Sequence, residues 1–503
     1  MGPVPPEGAL EAGPIGWKLP PHYNVSLFAG SLPCESAPVR SDQVRVAVLE
    51  IYEQVRREGA RADQAMQRVI RRNKQLRSVE RRAVADAVYG LLRLQGKVDA
   101  LLDRALATKK LALAKLATPT QHLLRYGAYL VIGEEQGAET ATNFAGPEVV
   151  PYRWVLELVA KPDELEPRAT KEDPLGRLAV DTSLPRWLAS LWFEQLGEAE
   201  TRALADGLNQ RAPLTIRTNL LKATRESLEK SLAEEEARVA PGKWSELSLS
   251  FTSRTNVFAL KSFKQGLFEV QDEGSQLIAL ACKARPGMIV VDACAGAGGK
   301  TLALAGEMKN KGKLIACDRD GRRLLELKTR ARRAGVHNWE ARAVPEGAPG
   351  DARIADLEGK ADLVLIDAPC SGLGALRRNP DARWRLDEAE VDTFPPRQKE
   401  ILDRYSRLVK PGGLLVYATC SINQRENEQV RQHFEDAHHE FKAVKAVELL
   451  GAERCAALAA AGLPEGADER AKRPALGARE FDVQLAPERH GTDGFYIAGF
   501  TRK

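Results

Sequence analysis

One stretch constrains this chain more than any other: Asp292-Ala-Cys-Ala-Gly-Ala-Gly-Gly-Lys-Thr301. An apolar run, Met288-Ile-Val-Val-Asp-Ala293, leads into it, and a helical pattern from Leu302 to Met308 leads out. The pattern reads as strand, glycine-rich turn, helix. Glycine has no Cβ and adopts positive φ without strain, so backbone can approach a ligand closely there. The helix N-terminus behind the turn offers free N–H groups and the positive end of a dipole. The turn is therefore a candidate site for a nucleotide or nucleoside.

Downstream of the turn, strands and helices alternate. Leu314–Cys317 reads as a second strand ending at Asp318, followed by a basic helix, Arg322–Ala334, with Gly335 closing it. Trp339–Val344, Asp362–Asp367 and Gly413–Ala418 read as the third to fifth strands, and Phe441–Val447 and Phe495–Phe500 as a sixth and seventh. Alternation with apolar strands predicts a doubly wound α/β sheet over residues 285–503. Residues 451–480, rich in alanine, glycine and charge, are expected to loop out.

Upstream the pattern is different. Residues 1–41 are rich in proline and glycine and read as a loose extension. Residues 42–161 read as an all-helical domain. Val44, Val48, Leu49, Ile51, Tyr52 and Val55 line one helix face, a second helix covers Ala62–Arg72, and a third starts at Ser78 and runs to Leu94. Further helices fit 98–107, 119–132 and 151–160. The basic run Arg68, Arg71, Arg72, Lys74, Arg77, Arg81, Arg82 is expected to be a solvated helix face; the alternative is a patch that meets phosphates. Residues 162–183 read as a linker and 184–284 as a small α+β module leading into the glycine turn.

At 503 residues and 44% hydrophobic, the chain is long and apolar enough for two to four cores. A net charge of +5 permits a nucleic-acid partner without demanding one. No apolar run reaches the ~20 residues that span a bilayer, and no export signal is evident, so no membrane partner is expected. The cysteines, Cys34, Cys282, Cys294, Cys317, Cys370, Cys420 and Cys455, form no CxxC pair. Zinc or another metal is not expected, and reduced thiols suit a cytoplasmic protein.

Three ligands compete for the glycine turn. A phosphate-binding P-loop has Gly299-Lys300-Thr301 in its favour, but Cys294 stands where its first glycine belongs. A dinucleotide fingerprint fails because its last glycine is missing at Thr301. S-adenosylmethionine needs a glycine turn after the first strand and an acid ending the second, to meet ribose hydroxyls. Asp318 supplies that acid.

Two cysteines add to this. Cys370 lies in Asp367-Ala-Pro-Cys-Ser-Gly372, directly after the fourth strand, and Cys420 in Ala418-Thr-Cys-Ser421, directly after the fifth. Ligands of open α/β sheets bind outside the carboxyl ends of the strands, and neighbouring strands are only ~4.8 Å apart. Either thiol alone reads equally well as a packing residue; both beside one glycine turn point to one cleft. A thiol beside a methyl donor suits cytosine carbon 5. A thiolate added to carbon 6 makes carbon 5 nucleophilic, and a second group assists release.

With these residues in view, the chain resembles the Sun-type (Nol/Nop/Sun) RNA cytosine-5 methyltransferases, in the branch acting on bacterial 16S ribosomal RNA. The resemblance covers Asp42 to the C-terminus. It rests on Asp292–Thr301, Asp367-Ala-Pro-Cys-Ser-Gly-Leu-Gly374, Arg377-Arg-Asn-Pro-Asp381, Thr419-Cys-Ser421 and Thr492-Asp-Gly-Phe-Tyr496, with Val270–Ser275 and Leu214–Asn219 as the lead-in. It implies a class I methyltransferase sheet, a NusB-like helical RNA-binding domain, and S-adenosyl-L-methionine as cofactor. It also implies that Cys420 is the nucleophile and that Cys370 assists proton removal and release. Cofactor binding falls by the same resemblance to Cys294, Ala295, Gly296, Ala297, Gly298, Gly299, Lys300 and Asp318, with Asp367 beside both cofactor and base. The family has proline at Ala297, and an aspartate after the third strand where Glu346 is the candidate here.

Arg377, Arg378, Asn379, Arg383, Trp384 and Arg385 mix positive charge with an aromatic plane and are expected to line a nucleic-acid cleft. The expected protein is a monomeric RNA (cytosine-5-)-methyltransferase with ribosomal RNA as partner. The rivals are a ribosome-assembly RNA-binding protein with little methylation activity and a P-loop-like ATPase.

Overall fold

The computed structural model describes residues 40–165, 173–462 and 476–503. The loose extension expected over 1–41 lies almost wholly outside them.

The N-terminal part is helical from Ser41 to Val159. The first helix, Ser41–Arg57, buries Val44, Ala47, Val48, Ile51, Tyr52 and Val55, the i, i+3, i+4 stripe visible in its sequence. The central helix, Ser78–Ala107, is continuous where two segments were expected. Gly96 interrupts the apolar pattern there for a packing reason: a Cβ on it would stand 2.9 Å from the Trp384 ring. Arg77 precedes the first turn, and the Glu80 carboxylate accepts from the Arg77 N–H at 2.7 Å. Much of the basic run is paired within this layer: Arg68 with Gln54, Arg72 with Glu50, Arg77 with Glu80.

The segment expected as a linker contains the helix Pro174–Asp181, capped by Asp173. Helices Arg186–Leu196 and Glu198–Asn209 follow. Four strands, β1 (Thr215–Thr218), β2 (Val239–Pro241), β3 (Ser248–Phe251) and β4 (Phe268–Val270), form an antiparallel sheet in the order β2-β3-β1-β4.

The C-terminal part carries β5 (Ile289–Asp292), β6 (Lys313–Asp318), β7 (Trp339–Ala343), β8 (Ala361–Asp367), β9 (Val409–Thr419), β10 (Phe441–Val444), β11 (Gly477–Ala478), β12 (Asp482–Gln484) and β13 (Tyr496–Arg502). They join in the order β11-β12-β13-β9-β8-β5-β6-β7, with β10 against β13. Strands β7, β6, β5, β8 and β9 run parallel, and β13 is antiparallel to β9. Successive residues go to opposite faces. Val290, Leu314, Leu365 and Val416 pack on one helical layer, and Val291, Ile315, Ile366 and Tyr417 on the other. This is the class I methyltransferase arrangement, a doubly wound sheet. The order reverses between β5 and β8, which opens a crevice at the carboxyl ends of those strands.

Residues 451–480 do not simply loop out. Ala452–Ala461 is a helix, and it buries Cys455 and Leu458 against the sheet core. Its alanines hid the pattern, because one cysteine and one leucine suffice to anchor so short an element. Residues 463–475 lie outside the described ones. No helix among the described residues is long and apolar enough to cross a membrane.

Candidate active site

The site grows from the end of β5. Gly296 and Gly298 adopt positive φ, +54° and +89°, and Gly298 ends the turn as the residue before the helix Gly299–Glu307. A Cβ on Gly298 would lie 2.1 Å from Leu327, so space as well as conformation demands glycine there. The turn is braced from behind by two arginines. Arg217 of β1 donates to the Gly299 carbonyl at 2.9 Å, and Arg330 donates to the Ala297 carbonyl at 2.9 Å. Arg330 is itself held by Glu269 of β4, which also pairs with Arg333. Thus the four-stranded sheet buttresses the turn, and Ala297 is fixed by a hydrogen bond to its carbonyl where the family has a proline ring.

Asp318 ends β6 and faces the turn. Its Oδ2 accepts from the Gly296 N–H and its Oδ1 from the Asp320 N–H, both at 2.8 Å. Asp367 ends β8 and pairs with Lys300 at 2.6 Å. Burial pulls the Lys300 ammonium down, but Asp367 outweighs it and the net direction is up. Lys300 is therefore charged, and it ties the glycine turn to the end of the neighbouring strand. Asp292 lies beneath, accepting from the Thr301 hydroxyl at 2.7 Å.

Cys370 follows β8 and Cys420 follows β9, and their sulfur atoms are 3.3 Å apart. The hydrogen bond to Cys420 first, then burial, then the Cys420 and Glu426 charges push the Cys370 thiol well above its ordinary range. Either sulfur can donate in this pair. Burial chiefly pushes up the thiols of Cys294, Cys317 and Cys282; Cys282 and Cys317 pack in the two cores flanking the sheet.

One cavity of about 890 Å³ joins the glycine turn, Asp318, Asp367 and both strand-end sulfurs. Cys294, Ala295, Gly296, Ala297, Gly299 and Lys300 line it; Gly298 lies behind them against Leu327. Its size suits a nucleoside-sized ligand. A Cβ at Gly296 would meet nothing nearer than Arg323 at 3.9 Å, and one at Gly299 nothing nearer than Gln271 at 3.8 Å, so both glycines leave room for a ligand. Asp318 and Asp367 offer carboxylates to a ligand bearing hydroxyls and positive charge. These residues fit S-adenosylmethionine. At the cavity mouth Glu346 is mostly exposed and pairs with Arg319 at 3.1 Å and Arg397 at 2.5 Å.

The residues after Cys370 are not an open nucleic-acid cleft. Arg377 is buried, and Arg377 and Arg378 both pair with Asp272 and Asp493. Arg383 is fully buried and donates to Asn209 and the Ser183 carbonyl. Trp384 donates to the Leu92 carbonyl of the helical layer at 2.7 Å, and Arg385 pairs with Asp381. Apart from Asp381, the carboxylates and carbonyls that engage the run are distant in the chain and invisible in the local sequence. The sequence reading also missed Glu426, Asn427 and Gln398. The polar segment Asn423-Gln-Arg-Glu-Asn427 right after the fifth strand was the available signal.

No group of His, Cys, Asp and Glu among the described residues is arranged to hold a metal ion. The family model "16S rRNA methyltransferase RsmB/F" matches residues 279–501, and a ferredoxin-like domain of the same methyltransferases matches 184–258. A "Probable ribosomal RNA small subunit methyltransferase B" of Bacillus subtilis is 31% identical over 66% of this chain and 69% of its own. A Synechocystis protein of the same name is 29% identical over 78% of this chain and 89% of its own. The crystal structure of a methyltransferase homolog protein from Pyrococcus horikoshii superposes with a TM-score of 0.53 at 26% identity, covering 66% of this chain and 99% of that one. With its glycine turn, acid-ended strands and paired thiols in one crevice, the chain belongs to the RsmB/F family of 16S ribosomal RNA methyltransferases, for which S-adenosylmethionine is the methyl donor.

Proposed function

We propose that this protein methylates carbon 5 of a cytosine in 16S ribosomal RNA, through a covalent bond between Cys420 Sγ and carbon 6. The observation that carries this reading is the 3.3 Å separation of the Cys370 and Cys420 sulfurs inside the cavity that also contains the glycine turn.

The base leaves its stack to reach the cavity. Cys420 thiolate bonds to carbon 6, and the electron pair of the C5–C6 double bond moves onto carbon 5 and into the ring edge that Asp367 faces. Carbon 5 then takes the methyl group, which bound S-adenosylmethionine supplies from its sulfonium. Once the Cys420 sulfur is bonded to carbon, Cys370 no longer has a thiolate to donate to. It loses its own proton to solvent, removes the proton from carbon 5, the double bond re-forms, and Cys420 leaves as thiolate. Lys300 keeps Asp367 in place throughout.

The test is transfer of tritiated methyl groups from S-adenosylmethionine to unmodified 16S ribosomal RNA, with the product nucleoside identified as 5-methylcytidine. Cys420→Ala is expected to abolish transfer and any protein–RNA adduct. Cys370→Ala is expected to let an adduct build up that survives denaturing electrophoresis. Full turnover in both variants, or methylation at another atom, overturns the reading.

A further inference from the structure

The two cysteine turns share one buried carboxylate. Glu426 follows Cys420 by six residues and has no exposed surface. Its Oε1 accepts hydrogen bonds from the hydroxyls of Ser371, at 2.5 Å, and Ser421, at 2.7 Å. Its Oε2 accepts from the Ser371 N–H at 2.8 Å and from the Gln398 amide at 3.1 Å. Ser371 is the neighbour of Cys370, and Ser421 the neighbour of Cys420. The Gln398 amide also donates to the Pro369 carbonyl, on the other side of Cys370, at 3.0 Å. Asn427 completes the frame by accepting from Thr419 and donating to the Ser421 carbonyl.

All four hydrogen bonds to this carboxylate come from neutral donors. No lysine or arginine pairs with Glu426 among the described residues. Burying a charge without a counter-ion is costly, and a purely structural brace could use a neutral amide. We propose that Glu426 is a positioning residue that sets the Cys370 and Cys420 turns in register, so that the two sulfurs meet with unequal roles. Its four bonds fix the sulfur separation. The hydrogen bond to Cys420 and burial disfavour an anion at Cys370, and the Glu426 carboxylate behind it adds to them, which leaves Cys370 as the hydrogen donor. The other groups facing Cys370 do not cancel that charge: Cys420 is its hydrogen-bond partner, Tyr417 is a buried phenol that donates to the Glu426 carbonyl, and the Lys300 ammonium is engaged by Asp367.

The turnover readout rests on the cysteine roles proposed above; the thiol readout does not. Glu426→Gln in the full chain keeps the side-chain size, removes the charge and turns an N–H₂ toward two donors. Calorimetry with S-adenosylmethionine is expected to show affinity within about threefold of the parent, whereas kcat falls on the order of 10²-fold. Alkylation by iodoacetamide, followed at each cysteine by mass spectrometry across pH, is expected to show Cys370 reacting at lower pH than in the parent while Cys420 keeps its profile. A loosened loop alone would expose both thiols alike. An unchanged kcat together with unchanged alkylation profiles overturns the proposal, as does a parallel shift of both thiols. If Glu426→Gln does not fold, Ser421→Ala, which deletes one hydroxyl donor, decides: a loss of about tenfold in kcat at unchanged cofactor affinity supports it, and parental kcat overturns it. If Cys420→Ala remains active while Cys370 alone shifts in Glu426→Gln, the reaction reading fails and the register role stands.

Discussion

Asp292 is a buried carboxyl, 1% exposed. Burial, with Asp367 adding, pushes it from 3.8 up to about 7, against the Thr301 hydroxyl and Lys300. The folded protein then holds this proton more tightly than the unfolded chain does. The contribution to stability is complete below about pH 4, declines as pH rises from there, and is gone above about pH 7; three pH units correspond to about 4 kcal/mol. Asp292→Asn is therefore expected to gain stability relative to the parent as pH rises from 5 to 8, read by melting temperature in the absence of cofactor. A difference that does not change with pH refutes this. Asp318 is proposed to act on the cofactor instead. Its carboxylate holds the Gly296 N–H, and Asp318→Ala is expected to raise the KM for S-adenosylmethionine at least about tenfold with a smaller change in kcat. At this scale the sequence was informative about groups that sit at strand ends. Asp318, Asp367, Cys370 and Cys420 could be located because the strand pattern fixes where a strand stops. It could not distinguish the two thiols, nor point to Glu426, whose partners Ser371 and Gln398 are brought to it only by folding.

Among the elements, the glycine turn depends on the sheet before it. Glu269 of β4 is almost fully buried between Arg330 and Arg333. Removing one partner from a buried ion pair leaves uncompensated charge and costs about 3 kcal/mol. Glu269→Ala is expected to lose that much stability in urea unfolding. It is also expected to weaken cofactor binding, because Arg330 would no longer be aligned on the Ala297 carbonyl. Unchanged cofactor affinity would separate the brace from the turn. The alternating strands were legible because each of their faces meets its own helical layer. The helix Ala452–Ala461 was not, since only Cys455 and Leu458 mark its buried face and the alanines between them show no apolar period. The apparent break at Gly96 was a contact point: a missing side chain made room for Trp384.

In the whole molecule, the helical layer is seated on the four-stranded module and on the loop after Cys370 by groups far apart in sequence. Trp384 donates to the Leu92 carbonyl, Arg93 to the Arg377 carbonyl at 3.0 Å, and Asp86 receives both Arg211 and Arg254. Trp384→Ala is expected to split one cooperative calorimetric transition into two and to increase the radius of gyration in solution scattering, with cofactor affinity near parental. A single unaltered transition would show that the tryptophan is not the anchor. Domain order could be read from changes of periodicity, but this seam could not, because its residues look like a basic, aromatic surface when taken alone.

Asp272 and Asp493 lock Arg377 and Arg378 from two sides, in the same loop that begins with Cys370. A loop cross-tied in this way has no freedom to reach outward toward a polynucleotide. Cys370 is held in place with it, and under the proposed reaction the distance between a stacked base and the paired sulfurs has to be covered by the RNA.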